Sequence, residues 1–261
     1  VPAELERHIR ELARRRANRE PLQYLLGVAY FMDLELEVTP AVLIPRPETE
    51  LLAEYAVKHL PEGGSMLDLG TGSGAIALAV AAERPDVRIT AVDVDAECAT
   101  QAAENFAASP WADRLDAVAV AVQRYDPVER FDLIVSNPPY YVDSLLSPDE
   151  GRNTARHAAG LPFGELAAAV VRLLAPGGRF ALVLPPVEMQ RFRSAALGRL
   201  YPVRWTEVYS TPRRGVRRIL AEFCTTPVPP PEPSRLVIEL GGSDSYTEDY
   251  RRLTGDFYLK F

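Results

Sequence analysis

Cysteine is scarce: the 261 residues hold only Cys98 and Cys224, far apart and in no metal-ligand spacing. A disulfide-built scaffold and a cysteine-held metal are thereby excluded, and two reduced, buried thiols in a cytoplasmic protein are expected. Positive charge is also short. Lys plus Arg number 29 against 36 Asp plus Glu, a net charge of −7, so the field of the whole protein does not draw in a polyanion and any nucleic-acid contact must be local. No apolar run reaches the length of a membrane span, and the opening Val1-Pro2-Ala3-Glu4-Leu5-Glu6-Arg7-His8-Ile9-Arg10 lacks the apolar stretch of a signal peptide, so no membrane contact is expected. The first residue is Val1 rather than Met, which leaves a trimmed or fragmentary start open. No segment repeats at a fixed period. What is there, 47% hydrophobic and 25% charged residues, suffices for one sizeable core with a small appendage.

Leu5, Ile9 and Leu12 recur at helical spacing among Glu and Arg from about Ala3 to Glu20, where Pro21 stops them, so a short amphipathic helix opens the chain. Phe31, Leu34, Leu36 and Val38 alternate up to Pro40, the mark of a strand or hairpin, and a helix from about Thr49 to His59 follows. Met66–Leu69, a glycine turn and Ala75–Glu83 read as the first strand, turn and helix of a parallel sheet. Strands at Val87–Val94, Ala117–Val122, Asp132–Ser136 and Arg179–Leu184, with helices at Ala96–Ala107 and Phe163–Leu174, extend the alternation. After a helix near Val187–Leu197 come Trp205–Ser210, Arg217–Cys224 and Leu236–Leu240, strands pairing at the sheet edge, with Pro227–Pro233 a stiff extended connector. The expected fold is α/β, a doubly wound, mostly parallel sheet of seven strands. Residues 1–60 form a short helix and hairpin extension and 61–261 the main domain.

Two loops carry the chemistry. The first is Asp68-Leu69-Gly70-Thr71-Gly72-Ser73-Gly74, which follows a strand and opens a helix, where glycines admit a ligand to the backbone and the helix N-terminus offers free N–H groups. Asp68, Gly70, Thr71, Gly72 and Gly74 are therefore candidate cofactor contacts. Gly70, Gly72 and Ala75 also satisfy the relaxed dinucleotide pattern G-x-G-x-x-A, so this loop alone does not separate a nicotinamide cofactor from S-adenosylmethionine. Asp93, ending the second strand, can accept both ribose hydroxyls in either case. Asp126, beyond the third strand, is either the acceptor of an adenine amino group or a solvated loop aspartate.

The second loop is Asn137-Pro138-Pro139-Tyr140, at the end of the apolar run Phe131–Ser136. An Asn side-chain carbonyl followed by a proline-fixed backbone carbonyl offers two acceptors to one point, with no proline N–H competing there. Such a pair holds a planar NH2 group, and Tyr140 adds a flat wall for stacking a base or packing an amide. A rigid turn leaving the sheet is the plain alternative. Glycine loop, ribose acid, adenine acid, then this tetrapeptide after the fourth strand is an order that hydride transfer has no use for. It predicts N-methylation, with Asn137 at the boundary of the acceptor and cofactor spaces. No metal is expected.

In that order of motifs the chain resembles class I methyltransferases acting on amino or amide nitrogens. Pro21-Leu22-Gln23-Tyr24-Leu25-Leu26-Gly27, Val42–Glu50 with its Arg46-Pro47-Glu48-Thr49-Glu50, and Asp68–Ala82 are similar to the release-factor glutamine methyltransferase (HemK-like) family. That resemblance implies Pro45, Arg46 and Glu48 near the active site, with Arg46 touching the substrate. The family's helical N-terminal domain is reduced here to little more than one helix. From about Ala103 onward the chain is similar instead to bacterial enzymes that methylate N6 of an anticodon-flanking adenine in valine tRNA. Glu104-Asn105, Ser109–Leu115, Thr154-Ala155-Arg156-His157 and the tail from Tyr246 to Phe261 carry that match. The two resemblances imply S-adenosylmethionine as cofactor and tRNA as partner, with a release-factor glutamine as the alternative acceptor. A non-catalytic cofactor-binding module is a third reading.

Local charge bears on the acceptor. Arg213, Arg214, Arg217 and Arg218 cluster with Arg204, while Arg152, Arg156 and His157 follow the tetrapeptide and are candidate substrate contacts. Arg14, Arg15 and Arg16 form a third patch. Each patch can equally be a solvated face, and His157 a loop hydrogen-bonder. Phe257, Tyr258 and Phe261 read as core anchors rather than a base-stacking platform.

Overall fold

Leu133 and Val135 belong to one buried cluster and Ile134 to another, because successive side chains of a strand point to opposite faces of its sheet. A computed structural model describes residues 2–138, 161–241 and 245–254 of the chain, and in it both faces of the sheet are covered. Pro139, Tyr140, Arg152, Arg156 and His157, the loop Thr154–His157, and the aromatic tail Phe257, Tyr258 and Phe261 lie outside the described residues.

The elements, in chain order, are α1 (Ala3–Ala17), α2 (Leu22–Leu26), β1 (Val28–Phe31), β2 (Leu34–Glu37), α3 (Pro47–His59), β3 (Ser65–Leu69), α4 (Ala75–Glu83), β4 (Arg88–Asp93) and α5 (Ala96–Ala108). After a single 3-10 turn come β5 (Leu115–Ala119), β6 (Phe131–Ser136), α6 (Phe163–Leu173), β7 (Leu174–Leu184), α7 (Pro186–Ala195), β8 (Tyr201–Tyr209), β9 (Val216–Cys224), β10 (Ser234–Val237) and α8 (Glu248–Thr254). The main sheet runs β10-β8-β9-β7-β6-β3-β4-β5, with β9 antiparallel to both of its neighbours and the other pairs parallel. It has eight strands, one more than the expected seven. The strand expected at Leu236–Leu240 is β10, which starts two residues earlier and completes the eight by pairing parallel to β8, Leu236 against Val208, at an edge where four residues suffice.

One face carries α3, α4 and α5 through Leu52, Ala56, Ala77, Val80 and Phe106 against Met66, Ile89 and Leu133. The other carries α6 and α7 through Leu166, Val170 and Phe192 against Ile134, Phe180 and Leu182. α4 is apolar all round, with Ala75 to Ala81 buried, as a helix sandwiched between sheet and neighbouring helices requires. The hairpin β1–β2 and helix α3, both within the segment 1–60, share the first core through Phe31, Leu36, Leu51 and Leu52. Two buried polar side chains lock the hairpin down. The Met32 N–H donates to Glu50 Oε1 at 3.1 Å, and Asn105 exchanges two hydrogen bonds of 3.0 Å with the Glu37 backbone. α1 buries none of its residues and exposes Leu5 and Ile9.

Strand order, not chain direction, reverses between the parallel strands β3 and β6: from β3 the strands proceed outward to β4 and β5 on one side, and β6 and β7 follow on the other. Ligands of open α/β sheets bind at such a switch point, beyond the C-terminal ends of the strands. Side chains clip these two strands at both ends. Ser65 N–H and Oγ donate to Asp132 Oδ2 at 2.9 and 3.1 Å at their start, and Ser136 Oγ donates to the Leu69 carbonyl at 2.8 Å at their finish. No described helix is long and apolar enough to cross a membrane.

Candidate active site

The register that pairs Leu69 with Ser136 brings the glycine turn and Asn137 to the same edge of the sheet, each following its strand by a residue. Gly70, Gly72 and Gly74 all have positive φ, 73°, 57° and 82°, the left-handed backbone that favours glycine. At Gly70 and Gly72 an added Cβ would meet no atom within 4 Å, whereas at Gly74 it would stand 2.6 Å from Phe106 Cε1. The first two border open space; the third lets α5 pack close. Asn105 ties this region together, donating from Nδ2 to the Ser73 carbonyl at 2.9 Å.

Three carboxylates surround the turn. Asp68 is 1% exposed, accepts from Thr71 Oγ1 at 2.7 Å, and leaves its Oδ1 buried without a hydrogen-bond partner. Burial pushes its pKa up to about 7, with the Thr71 hydroxyl and the Ala77 amide opposing the rise and Asp93 reinforcing it. Asp93 ends β4, accepts from Gly72 N–H at 3.0 Å and from Asp95 N–H at 3.1 Å, and is likewise raised, chiefly by burial. Asp95 caps α5, accepting from Glu97 N–H at 2.9 Å. This arrangement suits a cationic ligand. A pyrophosphate would face a buried carboxyl below the turn and find the Gly72 N–H already engaged, which separates the site from a dinucleotide cradle.

The raised carboxyl of Asp68 makes stability depend on pH with a definite sign. Its pKa rises from 3.8 to about 7 on folding, so the folded chain holds the proton more tightly. The contribution is greatest below the unfolded value and is lost as pH rises through the window from 3.8 to about 7. Asp68→Asn keeps the acceptor for Thr71 and removes the titration. Urea unfolding at pH 4.5 to 8 should show the variant gaining on wild type with rising pH, by up to about 1.4 kcal/mol per unit inside the window; a constant difference between the two proteins would contradict it.

Asn137 is half-buried and Pro138 buried. The Asn137 side chain reaches α3, where Nδ2 donates to Thr49 Oγ1 at 2.7 Å, and among the described residues Oδ1 accepts nothing. Thr49 is 6% exposed and lies in the first turn of α3; its N–H donates to the Arg46 carbonyl at 2.9 Å. Arg46 caps that helix and is exposed. Glu48, beside it, receives Arg217 and Arg218 of β9 at 3.2 Å each. The motif Arg46–Glu50 is thus joined to Asn137 on one side and to the β8–β9 hairpin on the other.

Not every expected residue joins this group. The Asp126 side chain is 92% exposed and pairs with Arg172 at 3.7 Å. Sheet register instead puts Val120 beside Asp93, its N–H on the Asp93 carbonyl at 2.8 Å. Arg204, grouped with Arg213–Arg218 from sequence, pairs with Glu222 at 3.4 Å and lies over the Tyr55 ring, because β8 carries it back along the sheet. Both thiols are free, Cys224 buried and Cys98 partly so, its pKa pushed up to about 12 by burial. No His/Cys/Asp/Glu cluster among the described residues could hold a metal ion. Sequence reasoning gave no role to Thr49, to Ser136, or to Val94, which follows Asp93 and is 56% exposed. The signal for Val94 was an apolar residue directly after the ribose acid; nothing local links Thr49 to Asn137, 88 residues away.

The family model described as methyltransferase small domain matches residues 47–185, from the start of α3 to the end of β7. A tRNA1(Val) (adenine(37)-N6)-methyltransferase of Parabacteroides distasonis is 40% identical over 198 residues, 75% of this chain and 83% of the relative. One of the same name from Flavobacterium johnsoniae is 39% identical over 214 residues, 80% and 90% of the two chains. Among solved structures, a predicted O-methyltransferase of Agrobacterium tumefaciens superposes with a TM-score of 0.60 at 18% identity, over 78% of this chain and 95% of that one, a likeness of fold. The chain therefore belongs to the methyltransferase small domain family, as a class I methyltransferase built around the switch point of its sheet.

Proposed function

We propose that this methyltransferase uses S-adenosylmethionine to methylate N6 of an adenine in tRNA, in the cytoplasm. The observation that carries the chemistry is the Asn137 carboxamide, held at Nδ2 by Thr49 so that Oδ1 remains for an acceptor, directly before the carbonyl of Pro138. Oδ1 and that carbonyl would take the two hydrogens of an exocyclic amine, drawing the nitrogen lone pair out of ring conjugation. A positioned amine needs no strong base. Bound S-adenosylmethionine supplies a methyl carbon on a positively charged sulfur. Gly70 and Gly72 leave room for it, Asp93 would accept its ribose hydroxyls, Val94 would cover its adenine, and Asp68 favours its positive charge. Asp126, exposed and paired, is left out of this set. Tyr140 would stack on a flipped-out base, with Arg46, Arg152, Arg156 and His157 toward the RNA.

The relatives named above methylate adenine(37) in tRNA1(Val), which favours adenine over a release-factor glutamine. The test is an unmodified valine tRNA transcript, methylated in vitro and digested to nucleosides. N6-methyladenosine is expected with adenine at position 37 and none with guanine there. Because two acceptors hold two hydrogens, a singly methylated amine no longer satisfies the site, and N6,N6-dimethyladenosine should be absent. Methylation indifferent to the base at that position would refute the acceptor.

Thr49 has a separable, positioning role. Thr49→Val keeps the shape and removes the hydroxyl, freeing the amide of Asn137 to rotate. Turnover should fall about tenfold, the worth of one hydrogen bond, while S-adenosylmethionine affinity stays unchanged and Thr49→Ser restores the rate. Equal loss in the Val and Ser variants would mean that Thr49 only fills space.

A further inference from the structure

Most arginine patches of this protein are consumed internally. In α1, Arg14 pairs with Glu11 at 2.8 Å and Arg15 with Glu20. On the sheet, Arg179 and Arg204 share Glu222 at 3.0 and 3.4 Å. The β8–β9 hairpin is different. Between Glu207 and Glu222 the sequence has no acid and four arginines, 213, 214, 217 and 218. Arg217 and Arg218 share a single oxygen, Glu48 Oε1. Arg213 and Arg214, at the tip, are exposed and carry no ion pair among the described residues. A fifth guanidinium, Arg235 of β10, lies over the Tyr209 ring at 4.4 Å and donates to the Pro212 carbonyl at 3.3 Å, bracing the turn.

Register fixes where this charge sits. Ser136 of β6 pairs with Leu182 of β7, and Leu184 of β7 pairs with Ile219 of β9. Residues 213–218 therefore lie at the edge of the sheet at which Asn137 stands, with 213–215 in the turn beyond the paired strands, two strands over, or about 10 Å across the sheet. A register shift between Val208 and Tyr209 marks a bulge that adds twist at the hairpin's base. On a protein of net charge −7, concentrated positive charge on the rim of the active site is a local exception.

We infer that the tip of the β8–β9 hairpin is a phosphate-binding clamp, with Arg213 and Arg214 engaging the backbone of the tRNA whose base enters beside Asn137. The inference rests on the tRNA reading above and goes beyond it by assigning the surface. Guanidiniums without an ion pair among the described residues need none of those contacts broken before they meet a phosphate, and their contacts carry no base information. Glu48 keeps Arg217 and Arg218 in place at the base of the clamp, so it positions the hairpin relative to α3.

The experiment compares the full chain with the Arg213→Glu/Arg214→Glu double variant on the same unmodified tRNA. Both side chains are exposed, so matching thermal melting and S-adenosylmethionine affinity are expected. KM for tRNA should rise at least about tenfold at moderate salt with kcat little changed, and the slope of log KM against log salt should shrink by about 2, one per lost phosphate contact. An unchanged KM and salt slope, or a loss confined to kcat, would overturn the clamp. If the wild-type protein methylates no RNA at all, the tRNA reading itself fails; if it methylates RNA and the variant does so equally well, only the clamp does.

Discussion

Replacing Asn137 with Ala should lower turnover by about two to three orders of magnitude, the range for losing one pre-aimed hydrogen-bond partner of a reacting group. S-adenosylmethionine affinity should stay within a few-fold of wild type. The separation follows from the site: the glycine turn and Asp93 are organised by their own contacts, Gly72 N–H to Asp93 at 3.0 Å among them, whereas Asn137 is held from α3 through Thr49. Asn137→Asp tests the direction of the hydrogen bonds. It retains an acceptor oxygen toward the substrate, and the Thr49 hydroxyl can turn to donate to the other, so part of the activity should survive. Single-turnover rates and calorimetric binding on the three proteins check this. Parallel loss of binding and rate in Asn137→Ala would move that side chain from the acceptor to the cofactor.

Gly72 and Gly74, in the same turn, should fail in opposite ways when replaced. Gly72→Ala adds a methyl group that meets no protein atom within 4 Å, at a φ of 57°. The protein should lose only about 1 kcal/mol of stability to the left-handed backbone, yet bind S-adenosylmethionine at least about tenfold more weakly, because the methyl group enters the space left for it. Gly74→Ala drives its Cβ to 2.6 Å from Phe106 Cε1, a ring buried between α5 and the sheet, at a φ of 82°. There the cost should fall on folding, about 2–4 kcal/mol by urea titration. Equal destabilisation with equal affinity would show that the turn is merely a packing device.

Much of this site was legible because its signals are local. The apolar runs Phe131–Ser136 and Met66–Leu69 mark the strands, and Gly70, Gly72 and Gly74, all with positive φ, lie where the turn was read. The boundary at β7 was not legible. Ala175-Pro176-Gly177-Gly178 reads as a turn, but the strand begins at Leu174, and Gly178 sits where a Cβ would be 2.9 Å from the Phe131 carbonyl. A close backbone approach between strands leaves no mark in periodicity. Nor could sequence pair Thr49 with Asn137 or Glu48 with Arg217 and Arg218, since these contacts join residues that only the sheet's crossovers bring together. Arg204 shows the converse, a residue near the basic cluster in sequence that the strand carries away to Glu222.

The most direct test of the central claim, an amine held between the Asn137 carboxamide and the Pro138 carbonyl, is to incubate the protein with methyl-labelled S-adenosylmethionine and a mixture of unmodified tRNA and cell protein. Both fractions are then hydrolysed to their monomers. The account predicts label in N6-methyladenosine from the RNA, abolished by Asn137→Ala; label in N5-methylglutamine, on a ring carbon or on oxygen would contradict it.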